Sequence, residues 1–95
     1  MVIRSFADDD AEAIFEGEKP GKGFSADLIR PAKRKLGMLH AARTLDDLKA
    51  PPGNRLEPLR GDRDGQHSIR INDKWRVCFR WTDEGAEEVE ITDYH

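Results

Sequence analysis

The stretch His67-Ser68-Ile69-Arg70-Ile71-Asn72-Asp73-Lys74-Trp75-Arg76-Val77-Cys78-Phe79-Arg80-Trp81, continued by Glu88-Val89-Glu90-Ile91-Thr92, decides the fold. Apolar and polar residues alternate throughout it, the period of strands with one buried face. In all three runs the apolar positions are odd-numbered. Residues paired across a hairpin share a face, so partner numbers must sum to an even value and each loop must be odd in length. Asn72-Asp73-Lys74 and Asp83-Glu84-Gly85 satisfy this as three-residue loops, the second with Gly85 suited to a left-handed position. The pairing then places Ile71 opposite Trp75, Ile69 opposite Val77, His67 opposite Phe79, Val77 opposite Ile91 and Phe79 opposite Val89 on a core face. The other face collects Arg70 beside Arg76, Arg76 beside Thr92, Arg80 beside Glu88 and Lys74 beside Tyr94.

Working back toward the N-terminus, Pro51-Pro52-Gly53-Asn54 breaks the chain, and Arg55 opens the strand-forming half. Leu56 and Leu59 can share the core face only with a bulge, for which Pro58 is the natural place; Glu57 and Arg60 then lean toward the basic face. Gly61-Asp62-Arg63-Asp64-Gly65 reads as a hairpin loop. Before the break, Leu28, Ala32, Leu36 and Leu39 are spaced by four, four and three, which predicts a helix, with Pro31 as a kink or as its first residue. Thr44 to Leu48 reads as a short helical turn capped by Thr44 with Asp47 three residues on. Gly17 to Gly23 is a loop. Asp9, with Glu12 at capping-box spacing, is the expected cap of a first helix whose apolar face is Ala11, Ile14 and Phe15. Val2 to Phe6 reads as a short strand. The order β-α-α-β-β-β-β makes an α+β fold, with N-terminal helices packed on one face of an antiparallel sheet, and 95 residues suit a single domain spanning 1–95.

Charged residues form 37% of the chain against about 25% in typical domains. The net charge of −3 is unevenly spread. Residues 1–18 set six acids against one Arg, for −5, and residues 81–95 carry six acids and no base, for −6. The middle, residues 19–80, carries +8, an asymmetry that flags a polyanion partner. The only cysteine, Cys78, cannot form an internal disulfide or build a zinc site alone, and no apolar run approaches the roughly 20 residues that span a bilayer. The acidic N-terminal stretch is not a signal peptide, so a cytoplasmic protein without metal or other cofactor is expected.

Arg70 beside Arg76 is the chemically informative pair, because like charges directly across a ladder destabilise it and no acid faces them in this register. Two guanidinium groups aimed at one patch suit a phosphate. Asp93-Tyr94-His95 lands beside that patch. Arg can stabilise a phosphorane, His or an acid can move protons, and Tyr can donate a hydrogen bond or stack on a base. His40, His67, Cys78, Trp75 and Trp81 read as packing residues.

The segment Pro51 to Trp81 (PPGNRLEPLRGDRDGQHSIRINDKWRVCFRW) with the terminal DYH, the stretch AARTLDDL from Ala41 to Leu48 and the opening IRSF from Ile3 to Phe6 resemble HigB-type toxins of the RelE/ParE superfamily. The resemblance implies the compact RelE-like fold and a toxin that cleaves mRNA in the ribosomal A site, the 2′-hydroxyl attacking the adjacent phosphate without metal. It also implies a HigA-type helix-turn-helix antitoxin that binds the shared operator DNA. Arg76 matches the family's transition-state-stabilising arginine, Arg60 a basic active-site position, and Asp93, Tyr94 and His95 the functional triplet. Glu57 stands where some members carry a catalytic His, which leaves the proton-transfer partner open and suggests a weaker or differently tuned nuclease. Arg70 and Lys74 enter as RNA-phosphate contacts from the register. Two alternatives remain: a ParE-like topoisomerase poison, and a weakly active toxin serving mainly as corepressor.

Overall fold

The computed structural model describes residues 2–21, 24–50 and 52–93. Helix α1 (Asp9–Glu16) is capped by Asp8, one residue before the expected Asp9: Asp8 is extended at φ −140°, and its carboxylate accepts from the Asp10 N–H at 3.0 Å. A tertiary bond explains the difference, since the second Asp8 oxygen accepts from the Ile91 N–H at 3.3 Å. Asp9, Asp10 and Glu12 fill the first turn, where the helix dipole favours anions. Gly17 closes the helix at φ 81°. Helix α2 (Ala26–Ala41) buries Leu28, Ala32, Leu36 and Leu39, the four residues the spacing selects. Pro31 lies inside α2, so it is not the helix's first residue. A 3₁₀ turn over Leu45–Leu48 follows with the expected reciprocal cap: Thr44 Oγ1 accepts from Asp47 N–H, and the Asp47 carboxylate accepts from Thr44 N–H.

Five strands, β1 (Val2–Ile3), β2 (Glu57–Pro58), β3 (His67–Arg70), β4 (Arg76–Thr82) and β5 (Gly85–Thr92), form one sheet in the order β1-β5-β4-β3-β2. All pairings are antiparallel except β1, which joins β5 in parallel. The helices cover one face, closing Ile14, Leu36 and Leu39 over Ile69, Val77, Phe79 and Val89. On α2, His40 Nδ1 accepts from the Ile3 N–H at 3.2 Å, which ties β1 to the helix layer.

The β3–β4 register is the expected one, with His67 opposite Phe79, Ile69 opposite Val77 and Arg70 opposite Arg76. The β4–β5 register begins as expected, with Arg76 opposite Thr92 and Val77 opposite Ile91, then shifts between Cys78 and Arg80. Beyond the shift Trp81 faces Ala86 and Thr82 faces Gly85, so the hairpin turns on Asp83-Glu84 alone and not on three residues. An even loop reverses parity, and a bulge around Glu88, whose φ is 53°, restores it before Val89 enters the core. The Glu88 N–H displaced from the ladder is taken up by Ser5 Oγ at 2.9 Å. Gly85 belongs to the strand for a steric reason. It sits at φ 138°, opposite Val2, and a Cβ there would run into the Val2 carbonyl oxygen. The absent side chain lets β1 close against β5.

In β2, Glu57 faces Ser68, Pro58 faces His67, and the Leu59 N–H donates to Gln66 O at 2.9 Å, so one register runs through Pro58 without the expected bulge. Leu56 packs against the main core, whereas Leu59 is buried outside it. The backbone irregularity lies earlier, at Arg55, with φ 46°.

Substituting Gly85→Ala should therefore destabilise the fold by about 2 kcal/mol or more, through overpacking against Val2 and through the positive φ. Urea unfolding measures this, and an unchanged midpoint would show that β1 does not need the gap.

Candidate functional site

Arg76, the first residue of β4, organises the open face of the sheet. Its side chain is only 14% exposed. Nε donates to Ser68 Oγ at 2.7 Å, and one terminal nitrogen donates to the Arg55 carbonyl at 2.7 Å. The same nitrogen lies 3.8 Å from the Glu57 carboxylate. Ser68 is placed by the β3–β4 register, Glu57 by its pairing with Ser68, and the Arg55 carbonyl by the left-handed backbone that precedes β2. A guanidinium bound on several sides in this way is fixed in its plane and ready to meet an oxyanion.

Arg70 and Arg76 are neighbours as the register requires, and although no acid stands opposite them in that register, both have acidic partners from outside it. Arg70 pairs with Asp73, and Arg76 with Glu57. The reason for the first lies in the loop. Asn72 Oδ1 accepts from the N–H groups of Lys74 and Trp75 at 2.9 and 2.8 Å, a side-chain-mediated turn that carries Asp73 back toward Arg70. The second partner comes from β2, whose position was not fixed by the hairpin register. Lys74 stands 3.9 Å from the Asp93 carboxylate and 5.6 Å from the centre of the Trp75 ring. Asp93 follows Thr92, the residue opposite Arg76. Arg70, Lys74, Arg76, Glu57 and Asp93 thus gather at one end of β3–β4–β5. Arg60 is exposed, just beyond β2 and ahead of a 3₁₀ turn at Gly61–Arg63. Tyr94 and His95 lie outside the described residues.

Four residues bearing on this face escaped the sequence reading. Ser68 had a signal, since its parity places it on the polar side. Arg55, Asn54 and Lys35 had little, because their roles depend on tertiary approach. Lys35 Nζ donates to Asn54 Oδ1, and the Asn54 amide donates to the Leu48 carbonyl at 3.2 Å. Burial, then the charges of Arg34 and Arg70, hold the Lys35 amine below its ordinary value. Farther along the same face, Arg63 and Glu90 pair at 2.6 Å. Cys78 is fully buried, and burial pushes its thiol up to about 11, so it is a packing residue and not a nucleophile.

The chain resembles, over its full length, a solved structure titled YoeB/ParE toxin from Agrobacterium tumefaciens. The TM-score is 0.56 and the identity 20%, with all of both chains covered, a likeness of fold. The two chains therefore share one α+β architecture. The family described as "RelE-like toxin of type II toxin-antitoxin system HigB" matches residues 4–95, and the chain belongs to that family. Among its relatives, Toxin HigB-1 of Vibrio cholerae serotype O1 is 38% identical over 78 residues, 82% of each chain. Endoribonuclease HigB of Proteus vulgaris is 28% identical over 94 residues, 99% of this chain and all of the relative. The family is one of toxins of type II toxin-antitoxin systems, each with a cognate antitoxin, and the Proteus vulgaris relative is named an endoribonuclease.

His67 packs as expected. Its ring stacks on Phe79 with centroids 6.3 Å apart, and its Nδ1 is buried without a hydrogen-bond partner among the described residues. Desolvation holds its pKa below the ordinary 6.5. The unfolded chain therefore binds this proton more readily, and the associated stability, complete above about 6.5, falls as pH drops below that value. Wild-type protein should lose unfolding free energy between pH 7.5 and 5.5, and His67→Phe should lose less. Equal losses in urea titrations at the two pH values would assign the effect to other groups.

Proposed function

We propose that this toxin is a ribosome-dependent endoribonuclease that cleaves mRNA in the A site, with residues 1–95 acting as one toxin domain. The observation that carries the reading is the bound Arg76 guanidinium, clustered with Glu57, Lys74 and Asp93, in a family with a member named an endoribonuclease. In the proposed reaction the ribose 2′-oxygen attacks the adjacent phosphorus and the bond to the 5′-oxygen breaks. The products are a cyclic phosphate and a 5′-hydroxyl end. The proton leaves the 2′-hydroxyl, and another reaches the departing 5′-oxygen. No metal takes part. Arg76 neutralises charge developing on the phosphorane oxygens. Asp93, Tyr94 and His95 supply proton transfer and substrate positioning. Glu57 stands at 3.8 Å from Arg76, where its carboxylate can orient the guanidinium or accept a proton. Arg60, Arg70 and Lys74 contact flanking phosphates.

This partial acid–base set leaves much of the alignment to the ribosome, so naked RNA is a poor substrate. The partner is a HigA-type helix-turn-helix antitoxin, through which the toxin reaches operator DNA indirectly, and the compartment is the cytoplasm.

Induced expression should stop growth and yield RNA 5′ ends inside reading frames. With purified protein and programmed ribosomes, Arg76→Ala should slow cleavage roughly 100- to 1,000-fold, the loss typical of a removed oxyanion donor. An Arg76→Ala/His95→Ala protein that stays fully toxic would show that the site is misplaced. Intact transcripts with DNA damage would instead indicate a topoisomerase poison, and unaffected growth with altered operator binding a corepressor.

A further inference from the structure

Resting on the nuclease reading, we infer that Asn54 is a positioning residue for Arg76, acting through the Arg55 peptide. Among the described residues Arg76 has two close neutral acceptors, one of them a side chain on the neighbouring strand, Ser68 Oγ. The other is the Arg55 carbonyl, on a segment outside the regular sheet. That carbonyl is held in place at a cost. Arg55 adopts φ 46°, a conformation that non-glycine residues enter at a penalty and keep only when their surroundings impose it.

The surroundings that impose it meet at the preceding residue. Asn54 is fully buried, the last residue of the 3₁₀ turn Pro52–Asn54, and its side chain is bound at both ends. The amide donates to the Leu48 carbonyl, at the end of the Leu45–Leu48 turn. The Oδ1 accepts from Lys35 Nζ on α2. A buried Asn joined to two separate elements fixes the backbone where it enters Arg55. From that fixed start, the left-handed φ of Arg55 turns the next peptide so that the Arg55 carbonyl faces the guanidinium. Without the anchor, Arg55 can relax to negative φ, the carbonyl turns away, and Arg76 loses one of its two close neutral acceptors among the described residues. Asn54 does not touch the substrate. Its effect lies on the orientation of a group that does.

Nuclear magnetic resonance of the Arg76 Nε–Hε group tests this directly, with the resonance assigned by its loss in Arg76→Lys. Asn54→Ala should shift that signal and speed its solvent exchange at least tenfold. In the ribosome cleavage assay the same variant should lower kcat roughly 10- to 100-fold, with KM within about twofold of wild type, the pattern of a misaligned catalytic group. Asn54→Ala/Arg76→Ala should cleave no more slowly than Arg76→Ala alone, because the two changes act through one group. Asn54→Ser, which keeps a hydroxyl in the buried site, gives the same readings where the alanine variant is poorly folded. An unmoved Arg76 Hε signal in a folded variant overturns the inference. So does full kcat in a variant whose Hε signal has moved. If wild-type protein cleaves nothing on ribosomes, the nuclease reading fails, and the Hε measurement still decides whether Asn54 positions Arg76.

Discussion

Strand β4 serves two faces at once, and its register with β3 governs both. Its odd residues Val77 and Phe79 are fully buried beneath the helices, and its even row begins with Arg76, on which the candidate site is centred. A slip of one residue would exchange the rows. Burying each large apolar side chain contributes roughly 1.5–3 kcal/mol, whereas an exposed ion pair contributes about 0–1 kcal/mol. The core therefore decides the register, and the arginine pair Arg70–Arg76 is a consequence that the charges must accommodate. They do so locally: Asp73 and Glu57 divide the two guanidinium groups between them.

The same priority explains the other hairpin. A three-residue loop would preserve parity without irregularity, yet the chain adopts a two-residue turn and a bulge. The deciding contact comes from the N-terminal segment. Placing Gly85 inside β5 opens room for the Val2 backbone, and Arg4, Ala7 and Ser5 then bond along β5, with Ser5 satisfying the bulge itself. One local irregularity thus gains a fifth strand, and with it the link through His40 to α2. The Asp8 carboxylate closes the other end by holding Ile91 near the exit of β5, two residues before Asp93.

How far the sequence is legible follows from the range of the interactions. Periodicity identifies the buried faces of α2, β3 and β4 because each is repeated over several residues. The Thr44–Asp47 cap is legible because its partners lie three residues apart. Where a position depends on a distant segment, the pattern is silent or misleading. Asp8 displaces Asp9 as cap because of Ile91, and Gly85 joins the strand because of Val2. Within a loop, Asp73 reaches Arg70 through the turn that Asn72 builds. The site divides in the same way. Arg70, Arg76, Lys74 and Asp93 are brought together by hairpin arithmetic alone, and the structure places them together. Arg55, Asn54 and Lys35 become visible only when the 3₁₀ turns are folded against α2.

The acidic flanks take on meaning in the same terms. A net charge of −3 would repel a polyanion if it were spread evenly. Much of the acid is instead committed to structure: Asp8 caps α1, Glu88 meets Arg80 at 3.0 Å, and Glu90 meets Arg63 at 2.6 Å. Asp93 stands at the margin of the candidate site itself, beside Lys74. Arg76 is different from the other bases of this face, because its short hydrogen bonds run to neutral acceptors while its carboxylate partner lies farther off, at 3.8 Å. Neutral acceptors fix a guanidinium's direction without cancelling its charge. That combination, a fixed direction with the charge retained, is what stabilising a transient phosphorane requires, and it makes Arg76 rather than the more exposed arginines the centre of the proposed chemistry.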